Sequence, residues 1–423
     1  MKIATLALTS SIRQSSPFPC AEDNKITVVV TPTVDLYASC SPVVSLGGLT
    51  GAATPSGDLN VTYAANNGTL GGTHAASWDQ VNGTLTFDLG TVQTATILRS
   101  REIVLNFILT NPKHNQSSPT TSLSMQLVDT PTYFHAVATH VSDSMALFDS
   151  TALNLTAQTS CPASSGDAHP LLIRSIVVTT FTALRSSKNP CDTLSITVVL
   201  RTDGPLFQAG VPQLTLAGLH GSVTASDSSL DMAVTPVGAF KESGNWTNTG
   251  GAGDSWDNAG AIGNLLLPLA SGAFMKGCVD YTIVFDVTNP VRPQDAASMT
   301  LTAPAVISDV AVSNADQMEV VDVGWITASI SGTSPGTSTN PCDLTSITVT
   351  VTPSIKLFAS CVEFLEFTGL VGAMTATTTN FTLHPACSTP FATTAHWNSS
   401  GRLKIFLNSD LAANTQHTFS FSL

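Results

Sequence analysis

The chain repeats itself, and the repeat limits what it can fold into. Residues 26–51, 196–221 and 347–372 align without a gap, as ITVVVTPTVDLYASCSPVVSLGGLTG, ITVVLRTDGPLFQAGVPQLTLAGLHG and ITVTVTPSIKLFASCVEFLEFTGLVG. Seven columns are identical in all three copies: in the first they are Ile26, Thr27, Val28, Leu36, Gly48, Leu49 and Gly51. A fixed long period means that each copy is one folding unit, so the architecture is a row of like units.

More columns follow. A Trp precedes a short apolar run in SWDQVNGTLTFDL (77–89), SWDNAGAIGNLLLPL (255–269) and HWNSSGRLKIFL (396–407), which pairs Trp78, Trp256 and Trp397. These three indoles are expected in or over the core. A strand ending in TNP recurs at 103–112 and 281–290, and NPC stands at 189–191 and 340–342, with FPC at 18–20. The β-branched runs, the period-2 alternation and the Gly, Asn and Pro between them are strand and turn signals. One stretch, 133–148, has a partly helical spacing.

Together these imply an all-β chain of tandem Ig-like β-sandwich repeats with Greek-key topology, the last copy incomplete. The expected division is 1–19 as the terminal strand of a preceding repeat plus linker, 20–190 as repeat 1, 191–341 as repeat 2 and 342–423 as a partial repeat 3. Residues 2–20 lie over 324–342 with cysteine on cysteine, which favours a repeat tail over a signal peptide at the start. A signal peptide would want a longer apolar stretch and a small-residue cleavage site. Both ends then fall inside repeats, and the chain reads as a fragment of a longer array.

Charged residues are 11% of the chain, against about 25% in an average soluble domain. The net charge is −13 and no basic cluster exists, which disfavours nucleic acid. No apolar run has the length of a spanning helix. Eight cysteines without a CxxC pair favour disulfides: Cys20, Cys40, Cys161, Cys191, Cys278, Cys342, Cys361 and Cys387. Cys20 with Cys40 and Cys342 with Cys361 recur as pairs, but Gly210 replaces the second member in copy two, leaving Cys161 or Cys278 as partners for Cys191. Sequence alone does not choose the connectivity.

Chemistry is sparse. The nine histidines are scattered. His74 and His396 precede Trp residues, and the five-residue spacing of His135 and His140 suits neither one helix face nor one strand face. No metal site and no cofactor are expected. Asp254 and Asp257, or Asp316, Glu319 and Asp322, are acidic clusters in turns without a calcium-loop pattern. Catalytic residues are none, and the expectation is no enzyme. Sequons N-x-[ST] stand at Asn60, Asn67, Asn82, Asn115, Asn154, Asn245, Asn380 and Asn398, most of them in expected turns. Trp246, in GNWTNTGG, has no counterpart in the alignment and is the candidate exposed aromatic for ligand binding.

At NPC…ITVTVTP…LFASC…GLVGA and TNP the chain resembles repeats of very long extracellular or surface proteins of unicellular algae and other protists. More loosely, it resembles the Ig-like repeats of bacterial adhesins. The resemblance covers nearly all of the chain and rests on turn and core residues, so it implies a fold and a structural or adhesive role and transfers no site residue. The expected function is therefore a non-enzymatic structural or adhesive repeat protein, rod-like, disulfide-bonded and glycosylated, extracellular or at the cell surface. Its expected partners are neighbouring repeats, with glycans or other surface proteins beyond them. The alternative is an array of glycan-binding sandwich modules, with Trp246 as the sugar platform.

Overall fold

A computed structural model describes residues 8–65, 69–92, 96–127, 137–141, 169–248, 262–291, 294–295, 299–303, 307–311, 326–333, 345–362, 364–384 and 390–423. Among the described residues the regular structure is strand, apart from one 3-10 turn at Ala38–Cys40.

The first sandwich holds β1 (Leu8–Gln14), β2 (Asn24–Pro32), β3 (Pro42–Gly47), β4 (Gly57–Ala65), β5 (Thr69–Asp79), β6 (Thr84–Asp88), β7 (Ile103–Leu109), β8 (Ser122–Leu127) and β9 (Val137–Val141). They are hydrogen-bonded in the order β1-β2-β7-β4-β5-β6-β3-β8-β9. The second holds β10 (Val178–Arg185), β11 (Thr193–Thr202), β12 (Leu206–Phe207), β13 (Gln213–His220), β14 (Asp227–Thr235), β15 (Ser243–Asn248), β16 (Ile262–Pro268), β17 (Phe274–Met275), β18 (Tyr281–Thr288), β19 (Thr300–Ala303) and β20 (Ile307–Ala311). Its order is β10-β11-β18-β14-β15-β16-β13-β19-β20, with β12 and β17 forming a separate ribbon. Strand for strand, this is the order of the first. The third holds β21 (Ile326–Thr333), β22 (Ser346–Pro353), β23 (Phe364–Phe367), β24 (Thr378–Thr382), β25 (Phe391–Asn398), β26 (Arg402–Leu407) and β27 (His417–Ser422), in two sheets, β21-β22-β27 and β23-β26-β25-β24.

The third sandwich shows the two layers plainly. Val349, Val351, Phe419 and Phe421 of one sheet and Leu365, Phe391, Ala395, Trp397, Leu403 and Ile405 of the other are buried in one core. In the second sandwich β14 joins the layers. Its Asp227–Asp231 part pairs with β15 and its Met232–Thr235 part pairs with β18, with a register shift between Asp227 and Leu230. A strand that changes sheets at a bulge makes a sandwich corner. Alternation decides the inward faces: along β11, Leu194, Ile196, Val198 and Leu200 are buried and the residues between them are not.

The identical glycine columns have a backbone cause. Gly48, Gly218 and Gly369 have φ of 85°, 86° and 89°, and Gly51, Gly221 and Gly372 have 90°, 78° and 94°. A side chain is strained there, and a Cβ on Gly48 would lie 2.1 Å from the Thr120 carbonyl oxygen.

The unit boundaries differ from the sequence expectation. β1 pairs with β2 along its whole length, from Leu8 opposite Pro32 to Gln14 opposite Ile26, and Leu8 and Ile12 enter the first core. Residues 8–14 are therefore the first strand of the first sandwich, not the closing strand of a preceding one. β10 with β11 and β21 with β22 do the same, so Ile326–Thr333 opens the third sandwich rather than ending the second. The reason is local: strands joined by a short loop pair with each other. The partly helical spacing at 133–148 is likewise overruled where it is described, because Val137–Val141 is a strand against β8.

Candidate functional site: the junctions between sandwiches

The NPC, FPC and TNP motifs meet at the sandwich ends. After β1 the chain turns through Pro17, Phe18, Pro19 and Cys20, and after β10 it turns through Asn189, Pro190 and Cys191. Cys20 and Cys191 both adopt left-handed backbone, φ 57° and 58°. Their N–H groups donate to the Pro112 and Pro290 carbonyls at 3.0 and 3.1 Å. The Asn of each TNP reaches round the same loop. Asn111 Nδ2 donates to the carbonyls of Ser16 and Phe18, both at 2.8 Å, and Asn289 Nδ2 donates to those of Ser187 and Asn189, at 3.4 and 2.8 Å. TNP is thus a clasp for the Pro-Cys loop, adding a side-chain donor to its carbonyls; those of Phe18 and Asn189 also accept from the Ala21 and Asp192 N–H groups, both at 3.4 Å.

The other half of the junction is the turn after the second strand of each sandwich. Cys40, Gly210 and Cys361 occupy one place in it, and each N–H donates to the carbonyl three residues back, Tyr37, Phe207 or Phe358, at 3.0 Å. The leucine before that aromatic is anchored by a short bridge in every copy: Leu36 to Ile97, Leu206 to Met275 and Leu357 to Leu411.

The Pro-Cys loops of the first and second sandwiches meet this turn in the sandwich that follows. Cys191 is disulfide-bonded to Cys361, with 6.1 Å between the Cα atoms. One junction earlier, Cys20 lies against Gly210, where an added Cβ would be 2.2 Å from the Cys20 Sγ. Pro19 and Cys20 line a shallow cleft there with Ile176, Pro205, Leu206, Phe207, Gly210 and Val211. Phe18 is buried in the second sandwich's core. Its ring lies 4.5 Å from the Arg174 guanidinium, and a Cβ on Gly204 would be 2.4 Å from it. Arg174 N–H donates to the Pro17 carbonyl and its side chain is 3.8 Å from the Asp203 carboxylate. On the other side, Leu171 is buried in the first core, and Gln14 exchanges hydrogen bonds with the Leu171 N–H and the Leu172 carbonyl, at 2.8 and 3.0 Å. The connecting segment is thus tied to both sandwiches.

This geometry corrects the expected cysteine pairs. Cys20 and Cys40 are both free thiols, and Cys361 bonds to Cys191 in place of Cys342. Within one sandwich the two positions flank the second strand. The nine residues of β2 put them about 30 Å apart at ~3.3 Å per residue, where a disulfide needs Cα atoms about 6 Å apart. Cys278 is also disulfide-bonded. Cys161, Cys342 and Cys387 lie outside the described residues. Burial pushes the Cys20 thiol up; Lys113 pulls it down and Glu22 adds to the rise.

Trp246 is not an exposed platform. It is fully buried in the second core, and its indole N–H donates to the Thr224 carbonyl at 3.2 Å. Trp78 and Trp397 are buried too and donate to Thr54 and Thr375, both at 3.0 Å. Trp246 is therefore the structural counterpart of Trp78 and Trp397. Trp256, which the alignment put there, lies outside the described residues. The GNWTN strand that carries Trp246 pairs with β16 as β5 pairs with β6.

Six sequon asparagines are described: Asn60, Asn82, Asn115, Asn245, Asn380 and Asn398 are all exposed. Asn60, Asn245, Asn380 and Asn398 stand within strands rather than turns, Asn398 as the last residue of β25, on outward-facing positions. Asn67 and Asn154 lie outside the described residues, as do the acidic clusters Asp254 with Asp257 and Asp316, Glu319 and Asp322. His74 packs near Phe87 and His396 on Phe406. His135 is outside the described residues, and His140 lies on β9. Among the described residues no group of three His, Cys, Asp or Glu is placed to hold a metal, and no helix is long and apolar enough to cross a membrane. No protein-family model and no curated protein matches the chain.

Proposed function

We propose that the chain is a non-enzymatic structural or adhesive protein of the cell surface or extracellular matrix, its Ig-like sandwiches set in line as a rod-like array. The observation that carries this reading is the Cys191–Cys361 disulfide, which ties the second sandwich to the third. A bond between units fixes their relative placement and favours an oxidising compartment. The first junction supports the same reading by other means, because Phe18 is buried in the neighbouring core. Repeated use of one loop and one turn is what an array requires. The outward asparagines of the six described sequons suit a glycosylated exterior.

The test is expression from a secreting eukaryotic cell, with peptide mapping before and after reduction and deglycosylation, and small-angle scattering of the product. A Cys191–Cys361 peptide, occupied sequons and an elongated envelope are expected. A well-folded product with free Cys191 and Cys361 and bare asparagines refutes the reading.

A further inference from the structure

The two junctions use one kind of loop and one kind of turn, but they close on different residues. In the first, the loop is Phe18-Pro19-Cys20 and the receiving turn carries Gly204. In the second, the loop is Asn189-Pro190-Cys191 and the receiving turn carries Ile355 in the column of Gly204. Phe18 is buried in the second core, and a Cβ at Gly204 would lie 2.4 Å from its ring, so the glycine leaves the room that the phenylalanine fills. The Arg174 guanidinium covers that ring at 4.5 Å. In the second junction the room is taken, because Ile355 packs against the third sandwich's own core. Asn189 is folded back on its own sandwich: its N–H donates to Ser187 Oγ at 3.2 Å and its carbonyl accepts from Asn289 Nδ2 at 2.8 Å. In place of an aromatic plug, the second junction has the Cys191–Cys361 bond.

We infer that the Cys191–Cys361 bond is a redox-operated coupling, opened by a small thiol reductant such as glutathione, which frees the third sandwich to move against the second while the Phe18 plug keeps the first junction docked. The switch rests on the array reading above. Units joined without a large apolar contact move relative to one another, and the bond is what withholds that motion here. The hydrogen bonds that shape the loop and the turn, Cys191 N–H to the Pro290 carbonyl and Cys361 N–H to the Phe358 carbonyl, each lie within one sandwich. Loop and turn therefore keep their form when the bond opens, and the coupling is reversible.

Cys191 is 8% exposed and Cys361 is half-buried, so the accessible sulfur is that of Cys361. A glutathione thiolate attacks it, the bond to Cys191 breaks, and Cys191 leaves as a thiolate that takes up a proton. A second glutathione thiolate attacks the glutathione sulfur of the mixed disulfide and expels the Cys361 thiolate, which is protonated in turn. One protein disulfide becomes two thiols, two glutathiones become one glutathione disulfide, and the two protons come from the glutathione thiols.

The experiment places spin labels, attached by chemistry that spares cysteine, at Val81, Val237 and Met374 of the full-length chain, one strongly exposed position in each sandwich. The 81–237 and 237–374 distance distributions are measured in oxidising and reducing glutathione buffers, and alkylation with peptide mapping reads the bond in the same samples. Reduction should replace a narrow 237–374 distance by a broad one, leave 81–237 narrow and leave the far-ultraviolet strand signal intact; reoxidation should restore the narrow distance. Cys361→Ser should broaden 237–374 in the oxidising buffer alone, which separates this bond from that of Cys278. Phe18→Ala should broaden 81–237 in both buffers. A 237–374 distance that stays narrow after the bond is shown to be reduced overturns the inference, as does broadening of both distances on reduction or loss of the strand signal. If the Cys191–Cys361 peptide is present in the oxidised sample, only the switch falls; if it never forms, the array reading falls with it.

Discussion

Gly210→Cys should convert the first junction into a copy of the second. An added Cβ at Gly210 lies 2.2 Å from the Cys20 Sγ and 2.8 Å from its Cβ. A relaxed disulfide separates its Cβ atoms by about 3.8 Å, so the two backbones must part by about 1 Å. Bridging positions 20 and 210 closes a loop of roughly 190 residues, which in the chain-entropy model removes about 5 kcal/mol of unfolded-state freedom. Strain takes back part of this, so a net gain of about 2–4 kcal/mol is expected. Gly210→Ala adds the same Cβ without the bond. It overpacks the junction and should cost about 1–3 kcal/mol. Two substitutions at one position thus have opposite signs. Denaturant unfolding of oxidised protein reads the difference, and reductant should drop the cysteine variant to the level of the alanine variant or below. If the introduced thiol and Cys20 both remain open to alkylation after mild oxidation, or if Gly210→Ala is neutral, Cys20 does not sit on Gly210 as described.

Other outcomes follow from the same geometry. Trp246→Ala should destabilise the second sandwich by about 3–5 kcal/mol in denaturant unfolding, while Asn245→Gln on the outward side of the same strand should stay within about 0.5 kcal/mol; equal effects would contradict the burial of the indole. In the reduced monomer near pH 8, limiting iodoacetamide should modify Cys40 before Cys20, whose thiol is 8% exposed and pushed up by burial; equal rates would mean that the first junction opens freely. The Asp410 carboxyl is held below its ordinary value by Lys356 and by the Ala359 N–H, so its contribution is present above about pH 4 and is lost as pH falls through the lowered value. Asp410→Asn should flatten the acid limb of the stability curve and cost no more than about 1 kcal/mol at neutral pH, because both side chains are well exposed; an unchanged acid limb would count against the pairing.

Repetition and alternation made the all-β class and the inner faces legible, because both depend on spacing along the chain. Gly48 and Gly51 could be read as turn residues for the same reason. Pairing across the gap between β1 and β2 was not legible: an apolar run before a cysteine looks the same whether it closes one sandwich or opens the next. Trp246 was misread because the Trp–apolar spacing in the second copy fits Trp256 as well, and only the hydrogen bond to Thr224 and the pairing with β16 decide. The cysteine partners were hidden for a geometric reason. The sequence shows neighbours along the chain, while Cys191 and Cys361 are 170 residues apart and meet only because two sandwiches abut. One signal was available, since the glycine in copy two and the orphaned Cys20 are matched across the junction and not within a repeat.

The Cys191–Cys361 bond also sets how the chain would bear tension. Pulling on the two ends loads the backbone as far as Cys191, crosses the sulfurs and resumes at Cys361, bypassing the 170-residue separation between them. That loop contains β11 to β22, nearly all of the second sandwich and the first two strands of the third. At about 3.5 Å per extended residue, some ~600 Å of contour is withheld from stretching for as long as the bond is intact. The first sandwich has no such shunt at Cys20, so under force it should yield first and act as the extensible element beside a stiff one.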